Sequence, residues 1–299
     1  MSKPLVSICC VTYNHAPFIR QCLEGFLMQQ TSFPIEILIH DDCSTDGTTE
    51  IIKEYAAKYP DLIFPMYETE NQYSKGVWVD GFNYRRARGK YIAYCEGDDY
   101  WTDPLKLQKQ VEFMEANPEY SVCFTTFIDY VVERDEYKET TPTRILRSKG
   151  NPNGIDVDLS QYFAVWYTQP MTMLFRISAF SFEWQKKYKY YRDQYEIYHL
   201  LKVGKGRLLN FDSGVKNVHR GGIASMLSIS EQTVISDKIA EELYRYNHDE
   251  PTTHFYLRTL QWVLPYVARP FSFMRLKYAW KVLMLEHSVV HFCKNMVRR

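Results

Sequence analysis

The sequence predicts an α/β protein with a Rossmann-like, mostly parallel sheet flanked by helices, followed by a C-terminal helical extension. Short apolar segments alternate with amphipathic segments as far as about residue 127, which is the order expected of parallel strands joined by helical crossovers. From about residue 231 the pattern is helical only. We therefore expect two parts, residues 1–230 and residues 231–299.

Five buried strands are predicted from short runs rich in β-branched and aromatic residues. They are residues 5–11, 35–39, 62–67, 91–95 and 120–127. Segments with one apolar stripe at helical spacing lie between them and predict the crossover helices. The helix after the fourth strand should begin with Asp103 as its N-cap and Pro104 in its first turn.

The middle of the chain is less regular. Residues 134–160 are polar and carry Pro and Gly, which predicts a loop. Residues 190–201 predict a helix with Asp193 and Glu196 near its start, and residues 205–211 predict another strand.

Composition excludes some classes of function. The formal net charge is zero, which argues against a nucleic-acid binder held by phosphate contacts. The seven cysteines are odd in number and form no C-x-x-C pair, which indicates reduced thiols and a cytoplasmic protein. We see no signal-peptide pattern and no apolar run of spanning length, so no transmembrane helix is expected.

Acidic residues end the fourth predicted strand as Glu96-Gly97-Asp98-Asp99. Ligands of open α/β sheets bind beyond the carboxyl ends of the strands. Neighbouring carboxylates after a buried strand repel each other and lose hydration, and a divalent cation removes that cost. Mg²⁺ or Mn²⁺ takes carboxylate and phosphate oxygens and can neutralise a leaving diphosphate. The simpler interpretation, turn residues before the next helix, is weakened because Asp103 can supply that cap.

A second acidic pair, Asp41-Asp42, ends the second predicted strand. A carboxylate there could accept a base N–H or hold ribose hydroxyls. It could equally serve the turn that follows, since Asp-x-Ser-x-Asp-Gly favours Asx turns.

Three segments together resemble family 2 glycosyltransferases of the GT-A fold, over about residues 4–125. They are Val6-Ser7-Ile8 through Thr12-Tyr13-Asn14, Asp41-Asp42-Cys43-Ser44-Thr45-Asp46-Gly47, and Gly89-Lys90-Tyr91-Ile92 through Asp98-Asp99. The resemblance implies an inverting enzyme that uses a nucleotide-diphosphate sugar and a divalent cation, Mn²⁺ or Mg²⁺.

The resemblance also implies residue roles in nucleotide binding. Tyr13 matches the aromatic residue that stacks on the base, and Thr12 and Asn14 are assigned to the same site. Asp42 matches the acid that contacts uracil, and Asp98 matches the residue near the ribose.

For the metal and diphosphate, Asp99 matches the direct metal ligand, and His219 resembles a later histidine that reaches the diphosphate or the metal. Glu96 occupies a variable position, so its role as a ligand stays open. The acceptor hydroxyl also needs a base, and Asp193 in the segment 191–196 best matches it. Glu196 is the alternative base, and Asp193 could instead simply complement the helix dipole.

We therefore expect transfer of a sugar from a UDP-sugar to a hydroxyl acceptor, a glycan or lipid-linked glycan of surface polysaccharide biosynthesis. A sugar nucleotidyltransferase would need a glycine-rich loop after the first strand, and residues 12–17 contain no glycine. A non-catalytic nucleotide- or sugar-binding module would lack a working base.

The C-terminal part is basic. Residues 251–299 contain eight Lys or Arg and one acid, Glu286. Such a segment can lie on an anionic membrane surface, which would place the protein peripherally at the inner face of the cell membrane. The alternative is a helical subdomain with a solvated basic face.

Overall fold

The computed structural model describes residues 3–148, 150–164, 168–189, 191–222, 227–263, 280–281 and 284. The chain divides into two compact units, Met1–Val218 and His219–Arg299. The boundary between the two parts that we predict from the sequence lies later, after residue 230.

The first half of unit one is a parallel sheet with helical crossovers. Its strands are β1 (Val6–Thr12), β2 (Ile35–Asp41), β3 (Ile63–Tyr67) and β4 (Tyr91–Glu96). Its helices are α1 (Ile19–Leu27), α2 (Thr48–Lys58) and α3 (Asp80–Arg86). The strands pair in parallel in the order β3-β2-β1-β4. This confirms the predicted α/β class and the first four predicted strands.

The second half of unit one is mixed. Its strands are β5 (Tyr100–Trp101), β6 (Tyr120–Val131), β7 (Glu136–Glu139), β8 (Ile155–Val157), β9 (Leu174–Arg176) and β10 (Lys205–Val218). Its helices are α4 (Lys106–Ala116), α5 (Thr141–Ser148), α6 (Leu159–Ala164) and α7 (Asp193–Val203). Short 3-10 turns lie at Tyr73–Lys75, Val132–Arg134, Pro170–Thr172, Ile177–Ala179 and Gln185–Lys187.

The sheet continues from β4 through β9, β6 and β10 to β5. Strand β9 runs antiparallel to both β4 and β6, whereas β6 and β10 are parallel. The sheet beyond β4 is therefore mixed. Strands β7 and β8 pair with β6 and β10, within the segment predicted as a loop.

Two predicted boundaries were wrong. Helix α4 begins at Lys106, with Leu105 rather than Asp103 at the cap position. Asp103 instead accepts the Leu105 N–H at 2.8 Å in the preceding turn. Strand β10 continues seven residues past residue 211, to Val218, because β6 supplies a parallel partner along this length.

The core of unit one fixes the ends of β1 and β4. Cys22, Leu23 and Phe26 form the buried face of α1, packed against the sheet. The rings of Phe26 and Trp101 meet edge to face, with centroids 4.8 Å apart. Full burial of one such side chain contributes about 1.5–3 kcal/mol to folding stability. The packed core therefore stabilises the strand ends from which the loops of the site begin.

Unit two contains α8 (Ile229–Asn247) and α9 (Glu250–Val263). A capping box of Ser228 and Glu231 starts α8, and Tyr256 and Leu260 of α9 pack on Ala240. The predicted helical character is thus confirmed for residues 229–263. Of the eight basic tail residues, only Arg258 and Lys281 are described. None of the described helices has the length and apolarity needed to cross a bilayer.

Candidate active site

The strand ends singled out in the sequence lie at one edge of the sheet. Strands β1 and β4 align Val11 with Glu96, and β1 and β2 align Thr12 with Asp41. The loops that carry Tyr13, Asp42 and Asp98 therefore leave the sheet side by side.

Three carboxylates cluster after β4. Glu96, Asp98 and Asp99 each offer an oxygen, and these oxygens all lie within 4.8 Å of one another. The backbone N–H of Asn217 donates to Asp99 Oδ1 at 2.9 Å, and the Asn217 side chain donates to the Asp98 carbonyl oxygen at 2.6 Å. Strand β10 thus holds the acidic loop from the other half of the sheet.

Glycine is required inside this acidic loop. A Cβ atom on Gly97 would lie 2.5 Å from Thr12 Oγ1, closer than real contacts allow. The Thr12 hydroxyl is itself 3.1 Å from His15 Nδ1, and His15 Nε2 is 3.7 Å from Asp98 Oδ2. The loops after β1 and β4 therefore fit together through Thr12, Gly97 and His15.

The electrostatics of the cluster favour a bound cation. Burial, reinforced by the charge of Asp98, raises the pKa of Glu96 to about 8. The same two causes raise the pKa of Asp99 well above its usual value. These groups resist ionisation together, and a divalent ion with a preference for oxygen ligands would compensate their charge. The donor set fits Mg²⁺ or Mn²⁺.

The acids of the Asp41-Asp42 pair make different contacts. Asp41 accepts the Ser44 N–H at 3.1 Å and the Thr49 hydroxyl, which is turn chemistry. Asp42 is buried and accepts the N–H groups of Gln72 and Tyr73 at 2.8 and 2.9 Å. Its carboxylate is therefore fixed by the segment that follows β3.

Tyr13 and Asn14 have different surroundings. The Tyr13 side chain is 43% exposed, so its ring is available to a ligand. Asn14 has a left-handed backbone, with φ of 55°, and its Oδ1 accepts the Thr45 N–H at 2.8 Å. Its N–H donates to Ser44 Oγ at 2.9 Å. Asn14 thus joins the loops after β1 and β2.

Asp193 is the first residue of α7. Its charge is close enough to Glu96 to contribute to the raised pKa of Glu96, although the two residues are far apart in sequence. Burial raises the pKa of Asp193 itself to about 6. Asp193 is therefore near the acidic cluster and titrates close to neutral pH.

Glu196, the alternative base, is only 3% exposed. The Tyr84 hydroxyl donates to its Oε1 at 3.0 Å, and burial raises its pKa well above the usual value. Burial thus disfavours the charged form of Glu196, which is the form that a base needs.

Two residues near the site, Asp80 and Asn217, were not predicted from the sequence. Asp80 accepts the Trp78 indole N–H at 2.9 Å, and its charge raises the pKa values of Glu96 and Asp193. Asp80 belongs to no recognisable sequence motif. Asn217 lies beyond residue 211, where the predicted strand ended. The predicted ligand His219 is buried and is the first residue of unit two.

Solved structures support the fold. S. aureus TarS 1–349 in complex with UDP-GlcNAc aligns with a TM-score of 0.59 and 18% identity, over 90% of this chain and 73% of TarS. The mannosyltransferase PcManGT of Pyrobaculum calidifontis, in complex with GDP-Man and Mn²⁺, aligns with a TM-score of 0.54 and 16% identity, over 99% of this chain and 88% of that chain. At these identities the likeness concerns the fold, which is that of GT-A glycosyltransferases.

Curated relatives match parts of the chain. An uncharacterized protein of Mycobacterium bovis is 50% identical over 119 residues, 40% of this chain and 34% of the relative. The UDP-Glc:alpha-D-GlcNAc-diphosphoundecaprenol beta-1,3-glucosyltransferase WfaP of Escherichia coli is 35% identical over 132 residues, 44% of this chain and 48% of the relative. The chain thus covers less than half the length of either protein.

The sequence model of one protein family matches more of this chain than either relative does. It is described as "Glycosyl transferase family 2" and matches residues 7–184, which include the strand-end acids Asp42, Asp98 and Asp99. The protein therefore belongs to glycosyl transferase family 2.

Proposed function

We propose that the protein is an inverting glycosyltransferase that moves a sugar from a UDP-sugar to a hydroxyl group of a glycan acceptor. The observation that carries the proposal is the proximity of Asp193 to the cluster of Glu96, Asp98 and Asp99. The charge of the candidate base thus acts on a member of the candidate metal site, and transfer to a hydroxyl needs both groups.

For the donor, we assign Tyr13 to stacking on the base, Asp42 to the uracil and Asp98 to the ribose, with Thr12 and Asn14 shaping the same loop. The exposed ring of Tyr13 supports the first assignment. The choice of UDP draws on the UDP-linked donor named for WfaP and on the UDP-GlcNAc complex of TarS.

We assign Asp99 as the direct ligand of Mn²⁺ or Mg²⁺, with Glu96 beside it. When bound, the ion would neutralise charge that develops on the departing diphosphate. The raised pKa values of Glu96 and Asp99 support the presence of a cation.

Asp193 acts as the base in this proposal. Its carboxylate takes the proton of the acceptor hydroxyl while the hydroxyl oxygen bonds to the anomeric carbon. The bond from that carbon to the diphosphate oxygen breaks on the opposite face, so the configuration inverts. A base with a pKa of about 6 is ionised at neutral pH and still basic enough to help.

The acceptor we propose is a growing surface polysaccharide, free or on a lipid carrier. The named acceptor of WfaP is lipid-linked. The basic tail would hold the enzyme at the cytoplasmic face of the membrane. Sedimentation of the whole chain with anionic but not neutral vesicles, reversed by salt, tests this part.

The activity itself is tested in two steps. Thermal-shift measurements with each nucleoside diphosphate, with and without Mn²⁺, should single out UDP plus metal, because a ligand of the folded state raises its stability. NMR of the product formed from the matching UDP-sugar should then show the inverted anomer. A protein that binds UDP and Mn²⁺ but neither transfers nor hydrolyses any sugar would be a binding module instead.

A further inference from the structure

Lys216 lies on β10 next to Asn217, the residue whose backbone donates to Asp99 Oδ1. Its position is thus set by the same hydrogen bond that holds the acidic loop. On the neighbouring parallel strand β6, the register partner of Lys216 is Asp129. No sequence motif marks this lysine, and the predicted strand ended before it.

The charge of Lys216 reaches acids from three parts of the fold. It opposes the effect of burial on the pKa values of Glu96 and Asp99 after β4, of Asp193 on α7 and of Asp129 on β6. The charge of one ammonium group thus acts on both the acidic cluster and the candidate base.

This ammonium group is nevertheless not committed to any one carboxylate. Among the described residues it forms no hydrogen bond and no ion pair. A structural lysine of the same unit behaves differently, since Lys109 Nζ contacts Asp103 Oδ2 at 2.5 Å. Lys216 is therefore near several acids but available to another anion.

Charge balance indicates which anion. Glu96, Asp98 and Asp99 bring three carboxylates to the site. One divalent cation leaves this group with a net negative charge, which would repel a diphosphate. A further positive charge would favour the binding of a dianion there, and the charge of Lys216 acts on two of these acids, Glu96 and Asp99.

We propose that Lys216 binds the diphosphate of the nucleotide-sugar donor and stabilises the nucleoside diphosphate as it leaves. The proposal rests on the proposed function, since it needs a donor of this kind. It adds a residue of β10 that acts on the leaving group.

The test compares Lys216→Met, which keeps the length and removes the charge, with Lys216→Arg, which keeps the charge. Lys205→Met, at the exposed start of the same strand, is the matched control. Calorimetry at saturating Mn²⁺ gives the Kd of each variant for UDP and for uridine. Loss of a hydrogen bond to a charged group should weaken UDP binding of K216M by about 10- to 100-fold. Uridine binding should not change, K216R should recover most of the loss, and K205M should match the wild type.

If Lys216 only balances the charge of the acids, K216M will bind Mn²⁺ more tightly and UDP as tightly as the wild type. That outcome would overturn the proposal while the proposed function stands. A wild-type protein that binds no UDP in the presence of Mn²⁺ would instead refute the donor assignment, and the role of Lys216 with it.

Discussion

The backbone N–H of Asn217 donates to Asp99 Oδ1 across 2.9 Å and 118 positions of sequence. The bond joins β10 to the loop after β4, so the two halves of the sheet meet at the candidate metal ligand. The Asn217 side chain adds a second bond, to the Asp98 carbonyl oxygen at 2.6 Å. Geometry at the acidic cluster therefore depends on a strand that contributes no carboxylate to it.

Asn217→Ala should weaken Mn²⁺ binding several-fold, because the Asp98 carbonyl oxygen loses its side-chain hydrogen bond, while the backbone N–H that donates to Asp99 is kept. Its cost in stability should be about 1 kcal/mol, typical of one hydrogen bond. Asn210→Ala is the matched control, since Asn210 Nδ2 donates to the Asn151 carbonyl oxygen at 2.8 Å on the same strand. It should lose similar stability and keep full Mn²⁺ affinity. Equal Mn²⁺ affinity in both variants, measured by calorimetry, would show that Asn217 does not support the metal site.

Local sequence was enough to predict the parallel half of the sheet and its acidic ends. Buried parallel strands are apolar runs, and the polar residues that follow them stand out, as Asp42 and Asp99 do. The role of β10 could not be predicted in this way. Its second half, Asp212 to Lys216, is polar in places and becomes a strand because β6 pairs with it. Asn217 and Lys216 are brought to the site by that pairing, which no local pattern records.

Metal-dependent stability should vary with pH. Burial raises the folded-state pKa of Glu96 to about 8, so its contribution to stability is present below its ordinary pKa and is lost as pH rises towards 8. Without metal, the Tm should therefore fall between about pH 5 and pH 8. The stabilisation by Mn²⁺ should grow over the same range, because the ion compensates the carboxylates as they ionise.

Glu96→Gln should flatten part of this pH dependence, whereas Glu119→Gln, at an exposed acid, should not. Differential scanning fluorimetry with and without Mn²⁺ gives both curves. A stabilisation by Mn²⁺ that is the same at every pH would contradict the assignment of the buried acids to the ion.

Asp193→Asn should lower turnover by about 10²- to 10⁴-fold, the usual contribution of a general base, and leave the Kd for UDP unchanged. The wild-type rate should fall as pH drops through about 6, because protonated Asp193 cannot accept the acceptor's proton. Glu196→Gln should retain most of the turnover, since Glu196 is buried and its carboxyl group is already engaged by the Tyr84 hydroxyl. The opposite ranking of the two variants would move the base to Glu196.

Tyr13→Ala should weaken UDP binding by about 10- to 100-fold, because stacking of a base on an aromatic ring contributes about 1–3 kcal/mol. Tyr13→Phe should bind UDP like the wild type, since the ring is kept. Tyr246→Ala, at another exposed tyrosine, serves as the control. UDP titrations that do not distinguish Tyr13→Ala from this control would remove Tyr13 from the base site.

The position of the cation is the centre of the account. Crystals grown with UDP and MnCl₂, measured at the manganese absorption edge, give that position directly from the anomalous signal. We expect one peak among the carboxylate oxygens of Glu96, Asp98 and Asp99, in contact with an oxygen of the diphosphate. Bound UDP with no manganese at those oxygens would contradict the account.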